Sequence, residues 1–421
     1  MHQTIDHQPM KLSFSKKFEA IDLQGLSEAS VQAKPSDVKR ILNTGKANSL
    51  EDFASLLSPA AEPYLETMCR LSQAATLKHF GKTMRMFAPL YLSNECVNVC
   101  RYCGFSRHND IPRITLSLDE VDREAGLLHR QGFRSILLVA GEHPKYVSNG
   151  YVESVVRRLS ESFPSIALEL GPLEASGYAP LVNAGCEALI VYQETYDPNT
   201  YRSLHTAGPK KHFNWRMDTA ERAYQAGFRR LGIGALFGLH DWRQEAVALA
   251  SHAQHLTRNC WKAQVSLSLP RMRPAAGEFE QVEFLPDHQF VQLIAALRLF
   301  VPKAGITLST REPAALRDGL IALGITSMSA GSSTEPGGYS AFDETSFTPK
   351  DEQPGEQFHI ADERPPAVVA KAIAKAGYEP VWKDFDQSLL ADPTVSEPMQ
   401  SPEYRIGKIE SVESLDPVSI K

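Results

Sequence analysis

No run of 18 apolar residues occurs in the sequence, and Met1 to Lys17 is polar and charged, with no apolar stretch ahead of a cleavage site. Neither a membrane-spanning helix nor a secretory leader is therefore expected. Excess charge of one sign is missing too. The 44 basic and 50 acidic side chains leave a net charge of −6, which argues against nucleic acid as a main partner. Cysteine is sparse, at 6 in 421 residues, too few for a disulfide framework, so a reduced, cytoplasmic protein without a membrane attachment is the expectation. What the chain does have is a hydrophobic share of 43% beside 22% charged and 9% aromatic residues, enough to bury a sizeable core.

At roughly 150 residues per domain, two or three domains are expected, although an α/β barrel of ~250 residues can stand as one domain with additions. Residues 1–84 read as a helical preface: Asp37 to Leu42, Ser49-Leu-Glu-Asp-Phe53 with a capping-box pattern, and Tyr64 to His79. Eight short apolar runs follow: Phe87 to Leu92, Ser135 to Ala140, Ile166 to Leu170, Ala188 to Tyr192, Arg230 to Ala235, Gln264 to Leu269, Gly305 to Ser309 and Ile325 to Ala330. Each lies near Gly or Pro and is too short for a buried helix, and amphipathic stretches long enough for a crossover separate them. Ser117-Leu-Asp-Glu120 and Asp218-Thr-Ala-Glu221 read as caps opening two of those helices. The pattern predicts a (β/α)8 TIM-type barrel over 85–331, with an N-terminal helical extension and a C-terminal helical and irregular extension. The C-terminal part divides into a segment packing on the barrel over 332–390, with a helix at Pro365 to Ala376, and a mobile tail over 391–421.

In such barrels the loops after the strands form the active face. The first strand runs into Cys96-Val-Asn-Val-Cys100-Arg-Tyr-Cys103, which puts three of the chain's thiols in one loop on that face. Thiolates at this density repel one another unless a cation holds them. Structural zinc usually takes four ligands in two separated pairs, and no second CxxC or HxxxH completes such a site. A [4Fe-4S] cluster usually takes four thiolates, so three would leave one iron open, and an open metal position means chemistry. Three buried or zinc-bound cysteines remain the alternative. Cys69, Cys186 and Cys260 stand alone and read as core thiols.

Cys-x3-Cys-x-aromatic-Cys after the first strand of a barrel resembles the signature of the radical S-adenosylmethionine (SAM) superfamily. The resemblance implies that Cys96, Cys100 and Cys103 bind three irons of a [4Fe-4S] cluster and that SAM chelates the fourth. One-electron reduction would then cleave SAM to methionine and a 5′-deoxyadenosyl radical. It also implies cofactor contacts for Tyr102, inside the motif; for Glu142 of Gly141-Glu142-His143, toward the SAM amino group; and for Gly234, where adenine would lie against bare backbone. Gln193 and Glu194, ending the fourth run, could hydrogen-bond ribose hydroxyls. Lys211, in the Lys210-Lys211 pair, could reach the SAM carboxylate. A solvated loop glutamate, a solvated lysine pair and plain strand packing of the glycine are the competing readings. Ser268-Leu-Pro270-Arg271-Met-Arg273 and Ser309-Thr-Arg311-Glu312 close the sixth and seventh runs, and one of these arginines could hold an amino-acid substrate, since a guanidinium fork matches a carboxylate; Arg311, with Ser309 and Glu312, is the first choice. A surface arginine paired with a nearby acid competes with that reading.

Leu90-Tyr-Leu-Ser-Asn94, Leu138-Val-Ala-Gly-Glu-His143, Val191-Tyr-Gln-Glu-Thr-Tyr196, Ser309-Thr-Arg-Glu312, Pro336-Gly-Gly-Tyr339 and Val381-Trp-Lys-Asp384 together resemble the 2-iminoacetate synthase family, the tyrosine lyases of thiamine biosynthesis. That resemblance implies cleavage of the Cα–Cβ bond of L-tyrosine to 2-iminoacetate and p-cresol. It implies thiazole synthase as the partner taking the product, and flavodoxin or ferredoxin as the low-potential electron donor. Related aromatic amino-acid lyases compete, among them a tryptophan lyase and the tyrosine-cleaving hydrogenase maturase, which carries a second cluster on C-terminal cysteines; here the last cysteine is Cys260. A non-catalytic iron–sulfur scaffold is the reading from another class.

Overall fold

The computed structural model describes residues 13–277, 279, 283–340 and 355–382. Eight parallel strands form its centre: β1 (Thr83–Ser93), β2 (Ser135–Ala140), β3 (Ser165–Glu169), β4 (Ala188–Glu194), β5 (Arg230–Ala235), β6 (Gln264–Ser268), β7 (Gly305–Leu308) and β8 (Ser327–Ser329). Their order around the sheet is their order in the chain, and β1 pairs both with β2, Ala88 opposite Ile136, and with β8, Arg85 opposite Ser327. The sheet therefore closes, as the alternation of apolar runs and helices predicts.

Period-two alternation decides what faces the axis. On β3, Ser165, Ala167 and Glu169 line the barrel interior, while Ile166 and Leu168 are fully buried in the outer core. β1 begins four residues before the expected Phe87, because Arg85 is an interior residue and breaks the apolar run that the sequence reading requires.

The outer helices show why the chain turns where it does. Ser117 accepts from the Glu120 N–H at 3.3 Å while the Glu120 carboxylate accepts from the Ser117 N–H at 2.7 Å, the reciprocal cap expected for Leu118–Arg130. Asp218, by contrast, does not cap Thr219–Ala226. Its carboxylate accepts from the N–H (2.8 Å) and hydroxyl (2.7 Å) of Ser15, tying the chain's beginning to the barrel wall. Before β1, helices run over Phe14–Phe18, Leu23–Val31, Pro35–Thr44, Leu50–Leu56 and Leu65–Phe80, and Gln292 of the barrel helix Asp287–Phe300 donates to the Leu56 and Ser58 carbonyls at 2.8 and 2.9 Å.

After β8, the Gly331 to Tyr339 stretch is anchored: Glu124 accepts from the Tyr339 N–H at 2.9 Å, and the Tyr339 hydroxyl donates to the Pro89 carbonyl at 2.6 Å. The chain then crosses the strand ends, with the Ala361 N–H on the Thr310 carbonyl at 2.9 Å, forms the helix Pro366–Lys375, and adds the short strand β9 (Glu379–Val381) beside the start of β1. Trp382 packs edge-on to Phe133 at 5.2 Å. Residues 341–354, the Lys383-Asp384 half of the last matching segment, and the 391–421 tail lie outside the described residues. No helix among the described residues is long and apolar enough to cross a membrane.

Candidate functional site

The three clustered thiols lie just past the C-terminal end of β1, on a loop braced from several sides. Arg113 donates to the carbonyls of Asn94 (2.8 Å), Phe105 (3.0 Å), Ser106 (2.7 Å) and Asn109 (3.0 Å). Such charge-assisted bonds contribute about 1.5–3 kcal/mol each and fix the loop before anything binds to it. Gly141 permits the close approach of this loop to the end of β2, since a Cβ there would stand 2.2 Å from the Glu95 carbonyl oxygen. The Gly104 N–H donates to the Gln357 carbonyl at 3.0 Å, which joins the loop to the chain's C-terminal part. Cys100 is buried and Cys96 and Cys103 are half-buried, and burial pushes the Cys100 thiol up to about 12 and raises Cys103, against the pull of Lys210. Thiols so placed ionise only where a cation stabilises them.

Asn98, inside the cysteine motif, joins this loop to its neighbours. Its amide donates to Glu142 at 2.7 Å and lies 3.6 Å from the Cys96 sulfur, and its carbonyl accepts from the Lys210 N–H at 2.9 Å. Glu142 also fills the space beside Gly171, where a Cβ would meet it at 2.5 Å. Sequence reasoning passed over Asn98, although its place in the motif's three-residue spacer was a usable signal.

Of the lysine pair, Lys211 is exposed, whereas Lys210 is half-buried and turns inward to Glu194. The ammonium of Lys210 bonds Glu194 at 2.8 Å and sits 5.6 Å from the Tyr102 ring centroid. The short 3-10 turn Pro209–Lys211 sets this phase, so the inward residue is the one before the residue expected. Glu194 is the one described non-glycine residue with positive φ, 72°, at the point where the β4–β5 register shifts. Strain of this kind persists where surroundings over-determine it. Burial would raise the Glu194 carboxyl, but Lys210 and Arg216 outweigh burial and hold it below the usual carboxylate range. Tyr102 donates to or accepts from His205 at 2.8 Å, and burial beside Lys210 drives that imidazole down to about 3, so it stays neutral. Gln193 is buried, with its amide nitrogen 3.4 Å from the Phe213 carbonyl and its Oε1 without a partner among the described residues.

Gly234 does not offer open backbone. A Cβ there would meet the Ser268 carbonyl oxygen at 2.6 Å and the Tyr192 ring at 2.8 Å, so the missing side chain makes room for Tyr192 inside the barrel.

Deeper along the axis, Tyr91, Glu169, Tyr192, Ser309, Arg311 and Phe358 line a cavity at the strand ends. Arg311 stacks on the Phe358 ring, 3.3 Å from its centroid, and makes no ion pair among the described residues. Ser309 accepts from the Arg311 N–H at 3.4 Å and shapes the turn. Glu312, expected beside Arg311 in the reacting set, is instead buried in a clamp: Arg271 Nε donates to it at 3.0 Å and Arg273 at 3.2 Å. It braces the turn and is not free to meet a substrate. The Tyr91 hydroxyl donates to Gln357 at 2.7 Å, so the C-terminal part of the chain closes one wall. Tyr91, Glu169, Arg216 and Phe358 are residues the sequence reading left out of the site.

The radical SAM superfamily profile matches residues 90–250, and the Biotin and Thiamin Synthesis associated domain matches residues 268–379. The chain is 39% identical over 379 residues to 2-iminoacetate synthase of Escherichia coli (strain K12), covering 90% of this chain and 98% of that one. It belongs to the 2-iminoacetate synthase family. A second member, from Salmonella typhimurium, is 40% identical over 84% of this chain and 92% of its own. Among solved structures, the FeFe-hydrogenase maturase HydG from Carboxydothermus hydrogenoformans superposes with a TM-score of 0.78 at 32% identity, covering 88% of this chain and 86% of that one. The chain is thus a radical SAM lyase, and the family implies a [4Fe-4S] cluster and SAM. The residues present fit that pair in their chemistry: a soft three-sulfur donor set on one loop, with Lys210 acting on Cys100, and an orphaned buried acceptor on Gln193.

Proposed function

We propose that the protein cleaves the Cα–Cβ bond of L-tyrosine, giving 2-iminoacetate for thiazole formation in thiamine biosynthesis and p-cresol, with SAM consumed to methionine and 5′-deoxyadenosine. Cys96, Cys100 and Cys103 would hold three irons of the cluster, leaving the fourth for SAM. When bound, cluster and cofactor supply a radical able to take a hydrogen atom from the substrate's amino group.

The chain's own residues prepare the site for that event. Arg311 takes the substrate carboxylate in its fork. Phe358 holds the guanidinium plane by stacking, and the Ser309 to Glu312 turn, locked by Arg271 and Arg273, keeps it aimed. Orientation of this kind, with the amine turned toward the cysteine loop, can contribute several kcal/mol. Tyr91, Tyr192 and Phe358 wall the cavity and exclude water that would quench a radical. Glu142 and Gln193 present acceptors suited to an ammonium and to ribose hydroxyls, and Lys210 sets the charge beside the cysteine loop while holding Glu194.

The observation that carries the reading is Arg311, an interior cation without an acid partner among the described residues, at the mouth that carries the three thiols. Near-full-length similarity to 2-iminoacetate synthase supports the same reaction. Thiazole synthase would take the unstable imine, and a flavodoxin or ferredoxin would supply two electrons in all, one to cleave SAM and one that, with a proton, completes p-cresol, in the cytoplasm. Anaerobic incubation of the reconstituted enzyme with SAM, reductant and L-tyrosine tests this: p-cresol formed together with 5′-deoxyadenosine is expected, and 5′-deoxyadenosine without p-cresol contradicts the substrate assignment.

A further inference from the structure

Glu142, Glu169, Glu194 and Glu312 are four carboxylates that the described residues bring to this mouth of the barrel, and three of these have partners. Glu142 accepts from Asn98, Glu194 is held by Lys210 and Arg216, and Glu312 by Arg271 and Arg273. The fourth, Glu169 at the end of β3, lines the same cavity as Arg311 and has no hydrogen bond or ion pair among the described residues. A carboxyl and a guanidinium thus line one cavity, near enough to feel each other's charge but with no hydrogen bond or ion pair between them. Leaving such groups bare in a low-dielectric interior is costly, and a protein keeps them so where a ligand completes them. The α-carboxylate and α-ammonium of an amino acid are separated by a single carbon, and a zwitterion is the ligand that satisfies both at once.

From this pairing we infer that Glu169 receives the substrate's α-ammonium opposite the carboxylate on Arg311, so that Glu169 selects α-amino acids and sets which way the amine points. The inference rests on the amino-acid substrate and the Arg311 role proposed above. Burial supports it, since it holds the Glu169 carboxyl up to about 7, so that in the free enzyme the group gives up its proton near neutrality, when a cation can take its place.

The test is equilibrium binding to the anaerobic holoenzyme with SAM, comparing L-tyrosine with tyramine, which lacks the carboxylate, and 3-(4-hydroxyphenyl)propionate, which lacks the amine. Glu169→Gln should weaken L-tyrosine and tyramine by about 10- to 100-fold and leave the propionate unchanged or tighter. Arg311→Gln should show the opposite selection, weakening L-tyrosine and the propionate but not tyramine. Retained propionate binding shows that the Glu169 variant is folded. The inference is overturned if Glu169→Gln binds L-tyrosine like the parent, loses all three ligands equally, or changes SAM affinity alone. The parent's p-cresol yield reads the substrate assignment separately: p-cresol with an indifferent Glu169→Gln sinks only this inference.

Discussion

The two mouths of the barrel differ in a way that volume alone would misjudge. The N-terminal mouth holds the larger cavity, about 520 Å³, lined by Arg85, Arg230, Ser165 and Lys303 among others. Its main cations are matched within the chain, since Arg230 bonds Glu187 at 2.6 Å and Arg85 feels the same carboxylate, which also accepts from Ser165; the orphans here are single atoms, Glu187 Oε2 and the Ser135 hydroxyl, with no partner among the described residues. At the C-terminal mouth the space is smaller, but among the described residues Arg311 and Glu169 make no ion pair, Gln193 has an orphaned oxygen, and Glu194 is strained. A folded chain satisfies its own polar groups where nothing else will, so unsatisfied chemistry marks the site better than room does.

The contrast can be broken by mutation, and the largest effect belongs to the cysteine loop. Cys100→Ala should lose bound iron and the cluster absorbance, with p-cresol formation falling by at least ~1,000-fold. Arg311→Gln should keep the cluster and lower kcat/KM for L-tyrosine by about 30- to 1,000-fold, a loss of about 2 to 4 kcal/mol for a cavity-lining cation removed from a bound anion.

A third effect comes from pH. Burial raises the Glu169 carboxyl to about 7, with Glu194 pushing the same way and Arg311, Lys210 and Arg216 opposing, while Tyr91 and Tyr192 also face it. The ionised form is the one that receives an ammonium, so affinity is full above that value and is lost as pH falls through it. The KM for L-tyrosine should therefore rise by up to about 10-fold per pH unit below neutrality. Glu169→Gln should flatten that profile.

The smallest catalytic effect belongs to the other mouth. Arg230→Met leaves the buried Glu187 short of its cation, and because that carboxyl already sits at about 7 through burial it can take up a proton, which limits the cost to about 1–3 kcal/mol. Thermal unfolding should shift down by about 1 to 4 °C while turnover per iron-loaded enzyme stays within about 2-fold. A large loss of turnover with an unchanged melting temperature would erase the distinction between the two ends.

The architecture could be read from the chain because its signals are local. Ser135–Ala140 is a continuous apolar run between Gly132 and Gly141, and the strand occupies those same residues. Where an interior position is charged, as at Arg85, the run is interrupted and the strand's start is missed. The cysteine motif was legible because spacing within one loop carries it. Glu169 was not: a single glutamate after a short run reads as solvated until closure of the barrel turns it toward the axis. Lys210 and Lys211 are indistinguishable in sequence, and only the backbone phase of the turn decides between them. The cap at Ser117 follows from its own four residues, whereas Asp218 was taken by Ser15, more than two hundred positions away in the chain.

The central claim is that the thiol loop holds a cluster with one iron left for SAM, at the mouth where the chain leaves its charges unmatched. Electron paramagnetic resonance of the reduced, anaerobic holoenzyme, recorded before and after adding SAM, tests it most directly. A [4Fe-4S] signal that changes on addition of SAM and is missing in Cys100→Ala is the predicted result. Zinc in place of iron, or a cluster signal indifferent to SAM, would contradict it.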